Sequence, residues 1–523
     1  MDAVFILHAL VQQFLNNNKR LYCAFVDFRR AFNSFNRNNL WYKLSTLGIN
    51  GKILQVIRDM YNKCKACVRV YNDHSEFCNI TIGLLEGEVM SPQLFALFIQ
   101  DMELSLIDSE ENGLRFDDLI IISLFFADDM VIFGKSTSEL QRNLNNLYEY
   151  CTKWNLEVNT DKTKIIVFRK RGPTRHDECF TYNNEKIETV NDFNYLGTVF
   201  NYTGNFNLNQ EYLTGKGLKA LNCLFYNTRD FKLKPSTMLN LFDSLVGSIL
   251  QYNAEVWGNT KSKNIETLHL KFCKRLLGVK RTTSSMSVYG ELGRYPLYVA
   301  RYVKVVKYWF RLLNTDNIIM QKMYAYMLND CNRGKVNWVS NVKRLLDQFG
   351  FSNVFVDPFS VTPKNFCLSF KNRIVDCFVQ KWNNDILLCS VLCSYKHFKT
   401  VFAFENYLDI VPKNLRYFLT KLRLSSHPLR IETGRYGRNR VDRHLRYCTL
   451  CDKNDIEDEY HFLFVCPAYN EIRKRFMNRQ FYVRPNFIKF CEMFKSEKKE
   501  ILTNVSKYIK EALEHRKNSV ILT

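Results

Sequence analysis

Residues 124–134 read LFFADDMVIFG, two adjacent carboxylates in the middle of an apolar run. The flanks LFFA and MVIFG have the aromatic and β-branched content of buried strands. An ionised carboxylate withdrawn from water costs several kcal/mol unless something positive meets it. In one straight strand Asp128 and Asp129 would face opposite ways, whereas at the tip of a tight hairpin both reach one locus. Taken as a dipeptide alone, the pair also fits a solvated turn. A third carboxylate, Asp27, ends the apolar stretch LYCAFVD at 21–27. Three carboxylates converging from two strands can hold two Mg²⁺ (or Mn²⁺) ions about 3.5–4 Å apart for in-line phosphoryl chemistry.

The surrounding sequence alternates helical and strand patterns in α+β order. A helix to about Leu15 precedes the strand LYCAFVDF, and another helix follows Asn38. The loop TIGLLEGEVMSP leads to a helix QLFALFIQDMELSL, then come the acidic strand pair and an amphipathic helix SELQRNLNNLYEYCTKWN. Residues 206–330 read as helical, 331–420 as mixed. The 523 residues carry 74 Lys and Arg against 52 Asp and Glu, and a net charge of +22 favours a polyanionic partner, nucleic acid ahead of a membrane surface. The 17 cysteines follow no secretory leader, which points to reduced thiols and an intracellular place, cytoplasm and nucleus rather than secreted. No apolar run approaches the roughly 18 residues that span a membrane.

The order FVDFRRAF, GLLEGEVMSPQLFALFI, FFADDMVIFG, LEVNTDKTKIIVF, FNYLGTVF over residues 1–205 resembles the palm of a reverse transcriptase of the non-LTR (LINE-type) retrotransposons. The resemblance implies a right-hand polymerase palm, a helical thumb and a small zinc-binding C-terminal module. It implies that Asp27, Asp128 and Asp129 hold the catalytic ions and that Lys162 protonates the leaving pyrophosphate. Phe32 would sit under the sugar and exclude a 2′-hydroxyl, the alternative being a plain core aromatic. Glu86, Gly87, Ser91 and Pro92 would shape the nucleotide pocket, and Tyr195, Leu196 and Gly197 would form the primer grip. Partners implied are an RNA template, a DNA primer or target and dNTPs. Two positions depart from the family: Glu86 stands where Gln is usual, an acceptor-only group near a triphosphate when ionised, and Asn33 where many relatives have Asp. With 26 residues ahead of Asp27, the fingers are expected to be largely missing and the copy truncated and impaired.

Near the C-terminus Cys448, Cys451, His461 and Cys466 follow C-x2-C-x9-H-x4-C. Three thiolates and an imidazole suit a closed tetrahedral Zn²⁺ site, and the segment resembles the CCHC knuckle of LINE-type polymerases; buried free thiols are the alternative. Ahead of it lie Arg430, Arg435, Arg438, Arg440, Arg443 and Arg446 with Tyr436 and Tyr447 interleaved. Such a mix neutralises phosphates and stacks on bases, or is a solvated loop. Lys271, Lys274 and Arg275 share one helix face at i, i+3 and i+4, suited to a duplex backbone or to plain solvation.

The partition expected is 1–205 palm, 206–330 helical thumb and following region, 331–440 mixed with a basic connector, 441–480 zinc knuckle and 481–523 helical tail. The reading is an RNA-directed DNA polymerase module using two-metal nucleotidyl transfer onto a primer 3′-hydroxyl. The alternative is a catalytically dead nucleic-acid-binding remnant, and a third option is a metal-dependent nuclease on the same carboxylates.

Overall fold

The computed structural model describes residues 1–33, 36–85, 87–107, 113–116, 118–436 and 440–521. The chain divides into two compact units, residues 1–209 with 308–344, and residues 210–307 with 345–523.

The first unit is built on a six-stranded sheet. In chain order its elements are α1 (Asp2–Asn16), β1 (Leu21–Val26), α2 (Arg37–Thr46), α3 (Gly51–Asn62), four two-residue strands β2 (Lys65–Ala66), β3 (Arg69–Val70), β4 (Asp73–His74) and β5 (Cys78–Asn79), α4 (Ser91–Phe98) and α5 (Met102–Leu106). There follow β6 (Leu114–Phe116), β7 (Leu119–Ile121), β8 (Ser123–Phe126), β9 (Asp129–Gly134), α6 (Thr137–Trp154), β10 (Lys164–Phe168), β11 (Phe180–Tyr182), β12 (Glu185–Thr189), β13 (Asp192–Tyr195) and β14 (Thr198–Asn201). The sheet order is β11-β12-β10-β1-β9-β8, with β1 central and antiparallel to both β9 and β10.

All six residues of β1 are buried, as expected of a strand covered on both faces. Ala24, Val26, Met130 and Ile132 share one face and join a core with Phe95 of α4 and Leu140, Leu144 and Leu147 of α6. The opposite face carries Phe25, whose ring stacks on Phe193 at 4.6 Å and lies 5.5 Å from Tyr195. The β13–β14 hairpin therefore covers that face. Helix α1 is buried without a break from Val4 to Val11, more than one apolar stripe. Phe5 meets Tyr308 and Trp338 edge-on at 5.4 and 5.2 Å, and the Trp338 amide donates to Gln12 Oε1 at 2.9 Å.

Those contacts explain why the partition differs from the sequence reading. A boundary expected at 330/331 falls inside the helix Ile318–Asn332, and residues 308–344 belong to the first unit because α1 needs their apolar side chains. The helix expected over 93–106 breaks into α4 and α5: buried Lys43 reaches the Phe98 carbonyl (2.6 Å) and the Asp101 carboxylate (2.5 Å), and Tyr150 Oη donates to the same carboxylate at 2.6 Å.

The second unit is helical, including its share, from 345 on, of the region read as mixed. Its helix Pro363–Leu388 buries Phe366, Phe370, Ile374, Phe378, Trp382 and Ile386, a stripe repeating every fourth residue. Helix Lys413–Arg423 ends in a buried guanidinium, whose Nε donates to Glu291 Oε1 at 2.5 Å and Nη2 to Glu405 Oε2 at 2.7 Å. The segments expected as a 441–480 module and a 481–523 tail pack as one body: Tyr508 Oη donates to the Phe462 carbonyl at 2.6 Å, and Arg516 Nε to Glu457 at 2.6 Å.

Candidate functional site

Three chain segments meet at the Val26 end of β1. The register pairs Val26 with Met130, and one further step sets Asp27 opposite Asp129, on the face that carries Phe25 and Val131. Strand β8 turns into β9 through Ala127 and Asp128, with Phe126 paired to Asp129 and Ala127 at φ 55°. Asp128 thus sits in the turn rather than in a straight strand, which frees it to face its neighbours. Burial, then the Asp128 charge, then the Asp27 charge raise the Asp129 carboxyl above its ordinary range. Asp128 and Asp27 are thus both close enough to act on Asp129.

The NTDKTK segment wraps the same strand end. The Asp27 amide donates to Thr163 Oγ1 at 3.2 Å, and the Asn159 amide donates to the Asp27 carbonyl at 2.8 Å. This places the Lys162 ammonium 3.8 Å from Asp27 Oδ2, with the lysine side chain 71% exposed. On the other side Leu196 (φ 47°) and Gly197 (φ 77°) close the two-residue β13–β14 turn, both left-handed as the tightest hairpins require. Tyr195 is buried beside Asp129, its phenol raised first by burial and then by that carboxylate, and its Oη has no hydrogen-bond partner among the described residues.

The expected nucleotide-pocket residues form a second group. Half-buried Phe32 packs on Phe95 with centroids 5.1 Å apart, and its carbonyl accepts from the Leu84 amide at 2.5 Å. Gly83, at φ 65°, lets this loop close: a Cβ there would lie 2.5 Å from the Asn33 backbone. Ser91 is buried, donating to the Leu85 carbonyl at 2.7 Å, so its hydroxyl holds the loop at the head of α4. Gly87 and Pro92 are exposed. Glu86 lies outside the described residues.

In the second unit, one ligand atom from each of Cys448, Cys451, His461 and Cys466 falls within 4.8 Å of the others. Cys448 Sγ is 3.9 Å from Cys466 Sγ, and Cys451 Sγ is 3.4 Å from His461 Nε2. The hydrogen bond between Cys448 and Cys466 holds the Cys448 thiol down to about 4 and pushes Cys466 up. Asp455 Oδ2 stands 3.5 Å from His461 Nδ1, a carboxylate behind the imidazole in the place from which such groups orient histidine ligands, although Nδ1 makes no hydrogen bond among the described residues. Sequence reasoning misses Asp455, whose only signal is its place in an acidic run.

The basic candidates divide. Lys271 and Arg275 are exposed, while Lys274 is half-buried with its ammonium on the Arg281 carbonyl at 2.6 Å. Arg435 is tied to Glu432 at 2.9 Å and to the Ser390 carbonyl at 3.0 Å, and Arg446 is buried on the Val441 and Ile431 carbonyls. These three have partners within the fold. Arg440 and Arg443 are exposed, and Arg438 lies outside the described residues.

Residues 4–200 match the family of reverse transcriptases (RNA-dependent DNA polymerases). Those residues form a reverse transcriptase domain. The RNA-directed DNA polymerase from the mobile element jockey of Drosophila funebris is 24% identical over 269 residues, 49% of this chain and 28% of that one. The Pol polyprotein of the type-1 retrotransposable element R2 of Bradysia coprophila is 25% identical over 213 residues, 38% of this chain and 24% of that one. The chain therefore spans less than a third of the length of these two relatives. Among solved structures, apo telomerase from Candida tropicalis aligns with TM-score 0.28 and 16% identity over 39% of this chain and 38% of that one. The reverse transcriptase domain contains the three-carboxylate cluster, Lys162 and the β13–β14 turn. Among the described residues no helix is long and apolar enough to cross a membrane.

Proposed function

We propose that the chain is the RNA-directed DNA polymerase module of a non-LTR retrotransposon, extending a DNA primer on an RNA template from dNTPs. The observation that carries this reading is the convergence of Asp27, Asp128 and Asp129 at one strand end of a reverse transcriptase domain. Burial and then the neighbouring Asp128 and Asp27 charges raise the Asp129 carboxyl, a repulsion that a cation would relieve, and an all-oxygen donor set suits hard divalent cations. Mg²⁺ or Mn²⁺ held by the three carboxylates would supply neutralisation for the attacking and departing oxygens. Lys162, exposed and beside Asp27, is positioned to give a proton to the departing pyrophosphate. Phe32 stands between loop and core as the sugar-facing group, Gly87 and Pro92 present the pocket rim, and Tyr195–Gly197 place the primer end. In this reading the helical residues 210–307 of the second unit supply the thumb, with Lys271 and Arg275 on the duplex backbone. Cys448, Cys451, His461 and Cys466 bind Zn²⁺, and Arg440 and Arg443 track single-stranded nucleic acid in the cytoplasm and nucleus.

Glu86, standing in the sequence where the family usually has Gln, is expected to lower the activity. Extension of a primer on RNA with Mg²⁺ tests this: the wild type gives little product and Glu86→Gln gives roughly tenfold more, the scale of one charge-assisted contact. Equal yields remove Glu86 from the account. Binding of primer–template without extension by either form supports the binding-only reading, and degradation without dNTPs supports the nuclease.

A further inference from the structure

At the other end of β1 a cavity of about 740 Å³ opens among α1, β6, the start of α6 and the loop before β11. Its volume falls within the range of small-molecule and cofactor sites. Lys19, Arg20, Arg115, Lys135 and Arg175 line it, and among the described lining residues Asp177 is the one carboxylate. Arg20 lies seven residues before Asp27, about 20 Å along an extended strand, so the two sites are distinct.

The basic wall is built rather than accidental. Glu178, with its side chain fully buried, accepts from Arg20, from Tyr22 Oη at 3.1 Å and from the Arg175 amide at 2.7 Å. Glu139 accepts from the Gly113 and Lys135 amides at 2.7 and 2.8 Å, tying the start of β6 to the head of α6. Two buried carboxylates thus hold in place the loops that carry Arg175, Arg115 and Lys135. Among the described residues no carboxylate lies within ion-pairing distance of the Lys19, Arg115 or Arg175 side chains. Lys19, Arg115 and Arg175, gathered at one cavity without such a partner, repel one another until an anion enters.

We propose that this cavity binds the phosphates of a single-stranded nucleic acid, at a site separate from the carboxylate cluster. A strand fits better than a free phosphate because the cations are spread over four chain segments around an open cavity instead of converging on one nest of amides. The proposal rests on the cavity's shape and charge, and a chain that fails to extend primers still has this site.

The test is the affinity of the full chain for a labelled oligo-dT as a function of salt. Replacing Lys19, Arg115 and Arg175 together by Gln spares the Arg20–Glu178 bond. It should weaken binding roughly tenfold at 0.1 M salt and reduce the slope of log K against log salt by about 2, at about 0.7 for each phosphate no longer neutralised. The control replaces the exposed Lys52, Lys186 and Lys364 by Gln, removing the same charge elsewhere, and should change affinity far less. Equal losses in the two triple variants overturn the proposal. So does unchanged oligo-dT affinity in the cavity variant, including the case in which that variant loses only pyrophosphate binding.

Discussion

Asp27, Asp128 and Asp129 stand at the open end of a sheet, one in a turn and one exposed, whereas Cys448, Cys466 and His461 are buried. The first cluster is all oxygen and holds its side chains by strand register and by backbone bonds such as that from Asp27 to Thr163. The second is sulfur and nitrogen, with its thiols and imidazole already touching. A site that must admit a triphosphate needs open positions and tolerates repulsion among its ligands. A structural site closes around its ion. The two differ in what metal removal should do: loss of function at one, loss of folding at the other.

The largest effect expected from this contrast concerns zinc. The full chain should carry one Zn²⁺, and Cys466→Ser should lower zinc affinity by more than about 100-fold, beyond the roughly 10–100-fold expected when a supporting group such as Asp455 is changed to Asn. Elemental analysis after dialysis against a weak chelator reads both. A Cys466→Ser protein that keeps stoichiometric zinc breaks the comparison at the sulfur end.

Smaller is the response of the carboxylates to hard cations. Mg²⁺ at about 100 times its Kd stabilises the folded state by roughly 2.7 kcal/mol, a rise of several degrees in Tm, and Asp27→Asn and Asp128→Asn should each lose most of it. A shift that persists in both variants would reduce the hairpin to a surface turn.

The smallest concerns Asp129 alone. Its carboxyl is raised in the folded state, so the folded chain binds the proton more tightly than the unfolded one. Stability then falls as pH rises from the ordinary carboxylate range through the raised value. Asp129→Asn should accordingly raise Tm at pH 7 without divalent metal, by about 1–2 °C, and leave it unchanged at pH 3. A lower Tm at pH 7 would mean that Asp129 is held by attraction, not repulsion.

Where local chemistry decides, the residues are legible from sequence. The run LYCAFVD can only be a buried strand ending in an acid, and FFADDMVIFG places its turn by its own polarity. The Cys and His spacing likewise marks four side chains that the structure brings together. What is not legible depends on long-range partners. Nothing near Lys43 announces that it will break a helix at Phe98, and nothing in 308–344 announces that α1 needs Tyr308 and Trp338. The arginine-rich connector misleads for the same reason: Arg435 and Arg446 look like phosphate ligands until Glu432 and the Val441 and Ile431 carbonyls are seen to hold them. Buried ion pairs such as Arg423–Glu291 leave no local pattern, because their partners are 132 residues apart.

The central claim is that the three carboxylates at the end of β1 are the catalytic metal centre. Primer extension on an RNA template with Mg²⁺, comparing the wild type with Asp128→Asn in one preparation whose oligonucleotide binding is matched, measures it most directly. The account predicts weak but template-dependent synthesis by the wild type, and a loss of at least about 100-fold in Asp128→Asn, the usual scale for removing a group that stabilises charge in the transition state. Synthesis that continues undiminished in Asp128→Asn would contradict it.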